Sequence, residues 1–166
     1  ARTAGAMMYA KTNTSALGHK DVTENLVVGV TTHPMDRTRT PGGSSGGAAA
    51  AVAAGLGPVA HGTDAGGSVR FPASLCGLVG FKPSFGRLSR VPVADLWAAR
   101  GHHGFLTRDV GDVAFLMDAL SGPDRRDPLS PPGSWRDGHV AAAPRILSLT
   151  TMFGQRLNPG VDRAFA

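Results

Sequence analysis

Two serine-bearing glycine turns carry the chemistry for which this sequence can be read. The first is Gly42-Gly43-Ser44-Ser45-Gly46-Gly47 and the second is Gly62-Thr63-Asp64-Ala65-Gly66-Gly67-Ser68. A serine hydroxyl is a poor nucleophile at neutral pH. It needs a neighbouring base, and its acyl product forms through an oxyanion that needs hydrogen-bond donors. Glycine serves the second need: without Cβ atoms, Ala65-Gly66-Gly67-Ser68 can aim successive N–H groups at one point, a nest for negative charge. A single Gly-Gly-Ser is ordinarily no more than a turn. These two stand out because they are paired across one helical segment.

That segment is Ala48–Ala54, whose alanines have the highest helix propensity; Gly46-Gly47 before it and Gly55 and Gly57 after it mark a start and a stop. Pro58–His61 is short, apolar and β-compatible, and it leads into the turn that displays Ser68. Pro72 then suits the first turn of a helix whose N-terminus faces the same point.

Upstream, Ala4–Asn13 predicts a short buried strand containing Met7, Met8 and Tyr9 and ending at Lys11, after which Thr14 or Ser15 caps a short helix through Leu17. Asp21–Asp36 reads as loop with an exposed His33. Thr31–Pro41 reads as an extended approach in which Arg37 and Arg39 make structural hydrogen bonds. Downstream, a turn at Ser84–Arg87 opens a loop through Leu96, Trp97 and the His102-His103 pair. Asp109–Leu120 is an amphipathic helix with Val110, Val113, Ala114, Met117 and Leu120 on one face, ended by Gly122-Pro123. Asp124–Pro144 is a surface connection and Arg145–Thr150 a strand. Strands alternating with helices predict an α/β fold with a mixed sheet.

Composition narrows the function classes. The 166 residues are 42% hydrophobic, and their 23 Gly and 12 Pro fall short of low-complexity content. The net charge is +5, but the arginines are scattered and aromatics make up only 6%, so no nucleic acid partner is expected. Apolar runs are too short to span a bilayer, so no membrane segment is expected. One cysteine, Cys76, rules out an internal disulfide and fits a reducing, cytoplasmic setting; it reads as packing. His102 and His103 have no carboxylate or cysteine at helical ligand spacing, so no metal and no cofactor are expected.

The motifs GGSSGG, GTDAGGSVRFPAS and CGLVGFKPSFGRLSR, in this order, resemble the amidase signature family of serine hydrolases. The likeness runs through Arg39–Arg90 and continues more loosely into AGAMMYAKTNTSALG before it and GFLTRDVGDVAFLMDALSGPDRRDPLS after it. It implies the amidase-signature fold, a mixed β-sheet core flanked by helices and here incomplete at both ends. Residues 1–166 would then be a partial domain lacking the catalytic lysine segment and the C-terminal part.

Carried onto matching positions, the resemblance makes Ser68 the nucleophile and Ser44 a proton-relaying serine whose preceding peptide bond is cis. A neutral lysine upstream of Ala1 is the base. Ala65, Gly66 and Gly67 hold the oxyanion, and Ser45, Thr63, Asp64 and Arg70 support the two loops. Lys11 and Lys82 read as structural. The implied reaction cleaves a small-molecule carboxylic amide to acid and amine, and the resemblance allows a homodimer of the full-length protein.

Three rivals stand beside this reading. Gly43-Ser44-Ser45-Gly46-Gly47 satisfies the G-x-S-x-G elbow of α/β-hydrolases with Ser45 central, but that motif needs a strand before it, and Arg37–Pro41 is polar and proline-ended. Within the family, the amidase component of glutamyl-tRNA amidotransferase is the main alternative. Its members commonly have glutamine after the arginine of the nucleophile loop, where Phe71 stands here, which favours a stand-alone amidase acting on an apolar or aryl amide. The third rival is an inactive fragment of an amidase, which predicts exposed apolar surface.

Overall fold

The structure, a computed structural model, describes residues 1–92, 100–138, 143, 145, 151–152, 154–156 and 158–163. In chain order they form a hairpin of β1 (Glu24–Asn25) and β2 (Gly29–Val30), then α1 (Gly46–Ala53), β3 (Val59–Asp64), α2 (Arg70–Leu75), β4 (Val79–Phe81), β5 (His102–Thr107) and α3 (Val110–Leu120). A second hairpin of β6 (Thr151–Met152) and β7 (Gln155–Arg156) and the short α4 (Pro159–Arg163) follow.

The central sheet has the order β3-β5-β4, and β5 is antiparallel to both neighbours, with Asp64 opposite His102 and Phe81 opposite Phe105. β3 and β4 therefore point the same way, joined by α2 as a crossover, and β5 lies between them. This is a split βαβ unit within the α/β class that the alternation implied.

Each face of the sheet buries its own cluster. Ala48, Ala49, Val69, Ala73 and Leu106 pack α1 and α2 on one side, while Leu88, Phe105, Val113 and Met117 pack α3 on the other. Small residues allow the close approach: a Cβ on Gly80 would meet the Ala73 Cβ at 2.5 Å. Cys76 is half-buried against the first cluster, where burial pushes its thiol pKa up, as befits a packing residue.

Both main helices form where propensity placed them. In α1, Gly46 and Gly47 lie inside the helix and do not precede it, and Gly55 takes the left-handed conformation after the Ala54 cap. α3 is capped by the Asp109 carboxylate, which accepts from the Asp112 N–H at 2.9 Å. Val113 and Met117 are its buried face, whereas Val110 at the first turn is exposed.

Elsewhere the structure departs from the sequence expectations. Met7, Met8 and Tyr9 are not a buried strand: they are 88%, 72% and 66% exposed in irregular backbone. A strand needs a neighbour for its N–H and C=O groups, and no described strand pairs with this segment. The helix expected after Ser15 is a single 3-10 turn, Ala16–Gly18. Asp21–Asp36 contains the β1–β2 hairpin because the Asn25 carboxamide accepts from the Val27 and Val28 N–H groups at 2.9 and 2.8 Å and closes the turn. His33 is half-buried, its Nε2 3.1 Å from the Leu75 carbonyl. His102 and His103 open β5 instead of lying in loop. Leu96, Trp97 and Ile146–Thr150 lie outside the described residues. Among the described residues no helix is long and apolar enough to cross a membrane.

Candidate active site

The serine turns meet because β3 passes beside the N-terminus of α1 with no side chain between. A Cβ on Gly62 would meet the Ser45 Oγ at 2.7 Å and Val69 Cγ2 at 2.9 Å, so glycine is needed for this approach. The Ser45 N–H donates to the Ser68 carbonyl at 3.2 Å, and the Ser45 hydroxyl lies 3.4 Å from both the N–H and the C=O of Thr63. Ser45 is buried and engaged with backbone on both sides. That suits the supporting role implied for it and leaves it poorly placed as an elbow nucleophile. No strand leads directly into it, as the polar Arg37–Pro41 implied.

Asp64 organises the second turn. Its fully buried carboxylate accepts from the N–H groups of Gly67, Val69 and Arg70 at 2.9, 3.1 and 3.3 Å. It also accepts from Arg70 Nε and Nη2 at 3.0 and 2.8 Å. Burial pushes this carboxyl up, but the Arg70 guanidinium and the backbone donors outweigh that and hold its pKa at about 2. Ser68 thus sits on a turn clamped from inside by one carboxylate.

The Gly67 N–H donates to Asp64, and Gly67 also contributes a φ of 130°, a conformation that favours glycine. The N–H groups of Ala65, Gly66 and Ser68 have no protein acceptor among the described residues. Ala65 and Gly66 are exposed and Ser68 is half-buried, so these donors line the open side of the turn.

Ser44 is buried at 4% exposure, and its preceding peptide bond, Gly43–Ser44, is cis. Among the described residues neither the Ser44 nor the Ser68 hydroxyl hydrogen-bonds to a protein group, and the two do not bond to each other. None of the chain's three lysine amines hydrogen-bonds to Ser44 or Ser68 among the described residues. Lys20 pairs with Glu24 at 2.8 Å, Lys82 donates to the Pro83 carbonyl at 3.1 Å, and Lys11 is exposed.

Sequence reasoning missed the residues that hold the first turn in place. The hydroxyl of Thr23, 1% exposed, donates to the Gly42 carbonyl at 2.8 Å and accepts from the Gly46 N–H at 3.0 Å. Ser15 seats the other side: its N–H donates to the Ser44 carbonyl at 3.3 Å, while its hydroxyl binds the Lys20 and Val22 carbonyls and does not cap a helix. Asn13 ties this clamp to the hairpin through Gly29 and Thr31, and its backbone leaves no space for a Cβ on Gly47. Nothing in the spacing of these polar loop residues signals that they converge.

A family model described as Amidase matches residues 1–166. A glutamyl-tRNA(Gln) amidotransferase component from Syntrophobacter fumaroxidans is 50% identical over 129 residues, 78% of this chain and 26% of that protein. 6-Aminohexanoate-cyclic-dimer hydrolase of Paenarthrobacter ureafaciens is 50% identical over 124 residues, 73% of this chain and 25% of that protein. Among solved structures, 6-aminohexanoate cyclic dimer hydrolase complexed with substrate aligns with a TM-score of 0.72 at 47% identity, covering 76% of this chain and 27% of that one. A bacterial aryl acylamidase of the amidase signature family aligns with a TM-score of 0.71 at 41% identity, covering 78% and 27%.

The α/β scaffold is that of solved amidase-signature enzymes. The chain belongs to the amidase family, and it spans about a quarter of the length of the curated relatives it matches.

Proposed function

We propose that this chain carries the two serines of an amidase that hydrolyses a carboxylic amide through an acyl-enzyme on Ser68. Ser44 relays protons to a neutral lysine contributed from outside these residues. The observation that carries this reading is the direct Ser45-to-Ser68 backbone hydrogen bond, which makes the two serine turns one unit.

In the first half-reaction the Ser68 oxygen attacks the amide carbonyl while its proton passes to Ser44, whose own proton passes to the lysine amine. The N–H groups of Ala65, Gly66 and Ser68 receive the oxyanion. The C–N bond then breaks as the leaving nitrogen takes the relayed proton. Water repeats the sequence on the acyl ester, freeing the acid and restoring Ser68. The pairing of the Lys20 amine with Glu24 and of the Lys82 amine with the Pro83 carbonyl, and the unengaged Ser44 hydroxyl, support a base from outside these residues.

Identity does not choose between a component of a glutamyl-tRNA amidotransferase and a stand-alone amidase, since relatives of both kinds are 50% identical. Phe71 favours the second. It is 41% exposed, one turn past Ser68, and its Cβ lies 3.8 Å from where a Cβ on Gly67 would stand, so the base of an apolar side chain borders the nucleophile turn. Such a surface suits an apolar or aryl acyl group.

The test is labelling of the full-length protein with a fluorophosphonate, alongside turnover of aryl, fatty and small amides. Ser68→Ala abolishes labelling, Ser44→Ala slows it by roughly 10²–10⁴-fold, and Ser45→Ala still labels. Labelling that survives Ser68→Ala and is lost in Ser45→Ala overturns the assignment. Glutaminase activity that appears only with a partner protein overturns the choice of a stand-alone enzyme.

A further inference from the structure

We propose that Gly18 determines leaving-group specificity: the space beside it receives an apolar substituent on the amide nitrogen, so the enzyme accepts N-substituted amides such as anilides as well as primary amides. This rests on Ser44 as the proton relay of the proposed amidase reaction. Gly18 closes the 3-10 turn Ala16–Gly18 with a φ of 70°. Among the described residues, and leaving aside its chain neighbours Leu17 and His19, a Cβ on Gly18 would have one heavy atom within 4 Å, the Ser44 Oγ at 3.8 Å. Gly18 is exposed, so the slot is open. The glycines that flank Ser44 in sequence have no such room. A Cβ on Gly43 would run into the Lys20 carbonyl, one on Gly46 into the Thr23 hydroxyl and one on Gly47 into the Asn13 backbone.

The chemistry places the leaving group on the same side. When the tetrahedral intermediate collapses, the C–N bond breaks and its electron pair stays on nitrogen. That nitrogen takes a proton from the Ser44 hydroxyl while the lysine ammonium returns one to Ser44, and the amine departs neutral. A nitrogen about 2.9 Å from the Ser44 oxygen, bonded over ~1.46 Å to its substituent, holds that substituent's first carbon roughly 3.7 Å from the oxygen. The missing Gly18 Cβ would stand at 3.8 Å. A side chain at position 18 and a substituent on the leaving nitrogen therefore draw on one shell of space, and glycine leaves it to the substrate.

The surrounding turn fixes this slot and sets its polarity. The Ser15 N–H donates to the Ser44 carbonyl at 3.3 Å and the Gly18 N–H to the Ser15 carbonyl at 3.0 Å, which ties the slot to the relay serine. Leu17 is the one non-glycine residue with positive φ among the described residues, at 54°, and it is 92% exposed. A leucine in the left-handed region is strained, and burial of its own side chain does not offset that strain here. Strained residues gather at ligand clamps. An exposed leucine next to the slot gives it an apolar border, which suits an aryl or alkyl substituent.

The experiment measures kcat/KM of the full-length enzyme for the anilide and the primary amide of one acid, chosen as the acid whose primary amide is turned over fastest. The ratio is taken within each preparation, so an inactive fraction cancels. The parent turns over both. Gly18→Ala lowers the anilide-to-primary ratio about threefold and Gly18→Leu at least about tenfold. The two variants share the strain of a side chain at left-handed φ, so the difference between them reports size. Gly18→Asn, a residue that tolerates left-handed backbone, lowers the ratio likewise should Gly18→Leu fail to fold. Gly55→Leu, at a φ of 74° with nothing within 4 Å of the new Cβ, keeps the ratio within about threefold. A parent that hydrolyses the primary amide and not the anilide, a ratio unmoved in Gly18→Leu, or equal falls in Gly18→Ala and Gly18→Leu overturns the inference. Fluorophosphonate labelling of Ser68 in the same preparations then leaves the proposed mechanism standing. A full-length protein that neither labels at Ser68 nor turns over either amide overturns that mechanism and this inference with it.

Discussion

Replacing Asp64 with asparagine isolates what the buried carboxylate does for the nucleophile turn. Five N–H donors converge on it, three from backbone and two from Arg70. Asparagine keeps one acceptor oxygen and turns an NH2 group towards donors that formerly had a partner. A buried donor left unsatisfied costs about 1–3 kcal/mol. Arg70, with its side chain 51% exposed, rehydrates, so its share is screened to about 1 kcal/mol or less. The backbone donors dominate, and Asp64→Asn costs about 3 kcal/mol, a fall in Tm of roughly 6–12 °C for a chain of this size. Arg70→Gln costs about 1 kcal/mol. The pH dependence gives a second readout. The folded carboxyl is depressed from 3.8 to about 2, so its contribution is complete above pH 4 and is lost as pH falls towards 2. That contribution is worth about 2 kcal/mol, and it disappears from the profile of the asparagine variant. Thermal melts of the three proteins between pH 2 and 7 check this. Equal losses in Asp64→Asn and Arg70→Gln, or an unchanged acid profile in Asp64→Asn, refute the view that the backbone cage and not the ion pair holds the turn.

Thr23→Val keeps the side-chain shape but strips the Gly42 carbonyl and Gly46 N–H of their partner; it lowers stability by about 2 kcal/mol in denaturant titrations and slows labelling of Ser68 in the full-length protein. Gly62→Ala drives a methyl group into Ser45 and Val69 and costs about 1–3 kcal/mol, whereas Gly66→Ala, with no atom within 4 Å of the new Cβ, melts within about 0.5 kcal/mol of the parent. Leu106→Ala empties the centre of the cluster under α1 and α2, and chemical denaturation should show a loss of about 2–5 kcal/mol.

Local chemistry was legible where a residue type has one strong structural meaning. The alanine run made α1, the apolar periodicity located α3, and Pro72 sits in the first turn of α2, as the sequence implied; that Asp109 caps α3 instead of opening it was not read. The glycine-serine turns were legible by order and spacing, and the structure joins them through Ser45 and Ser68. Two kinds of feature were not. Met7–Tyr9 is as apolar as a core strand, but apolarity does not supply a pairing partner, and this segment has none among the described residues. The clamp of Asn13, Ser15 and Thr23 depends on side chains many residues apart arriving at one loop, and no periodicity encodes that. The partner of a single N–H is subtler still: nothing in the spacing says that the Gly67 N–H donates to a carboxylate three residues earlier.

The placement of β5 bears on how this molecule is made. Residues 59–64 and 79–81 border a slot one strand wide that stays empty until residues 102–107 arrive. During synthesis both rims carry unsatisfied hydrogen-bonding edges, the kind of surface that recruits foreign strands. A nascent chain halted before His102 should therefore be stickier than one released after Thr107, in which the two inner edges are paired. The Ser68 turn gains its sheet support only when the later strand slides home.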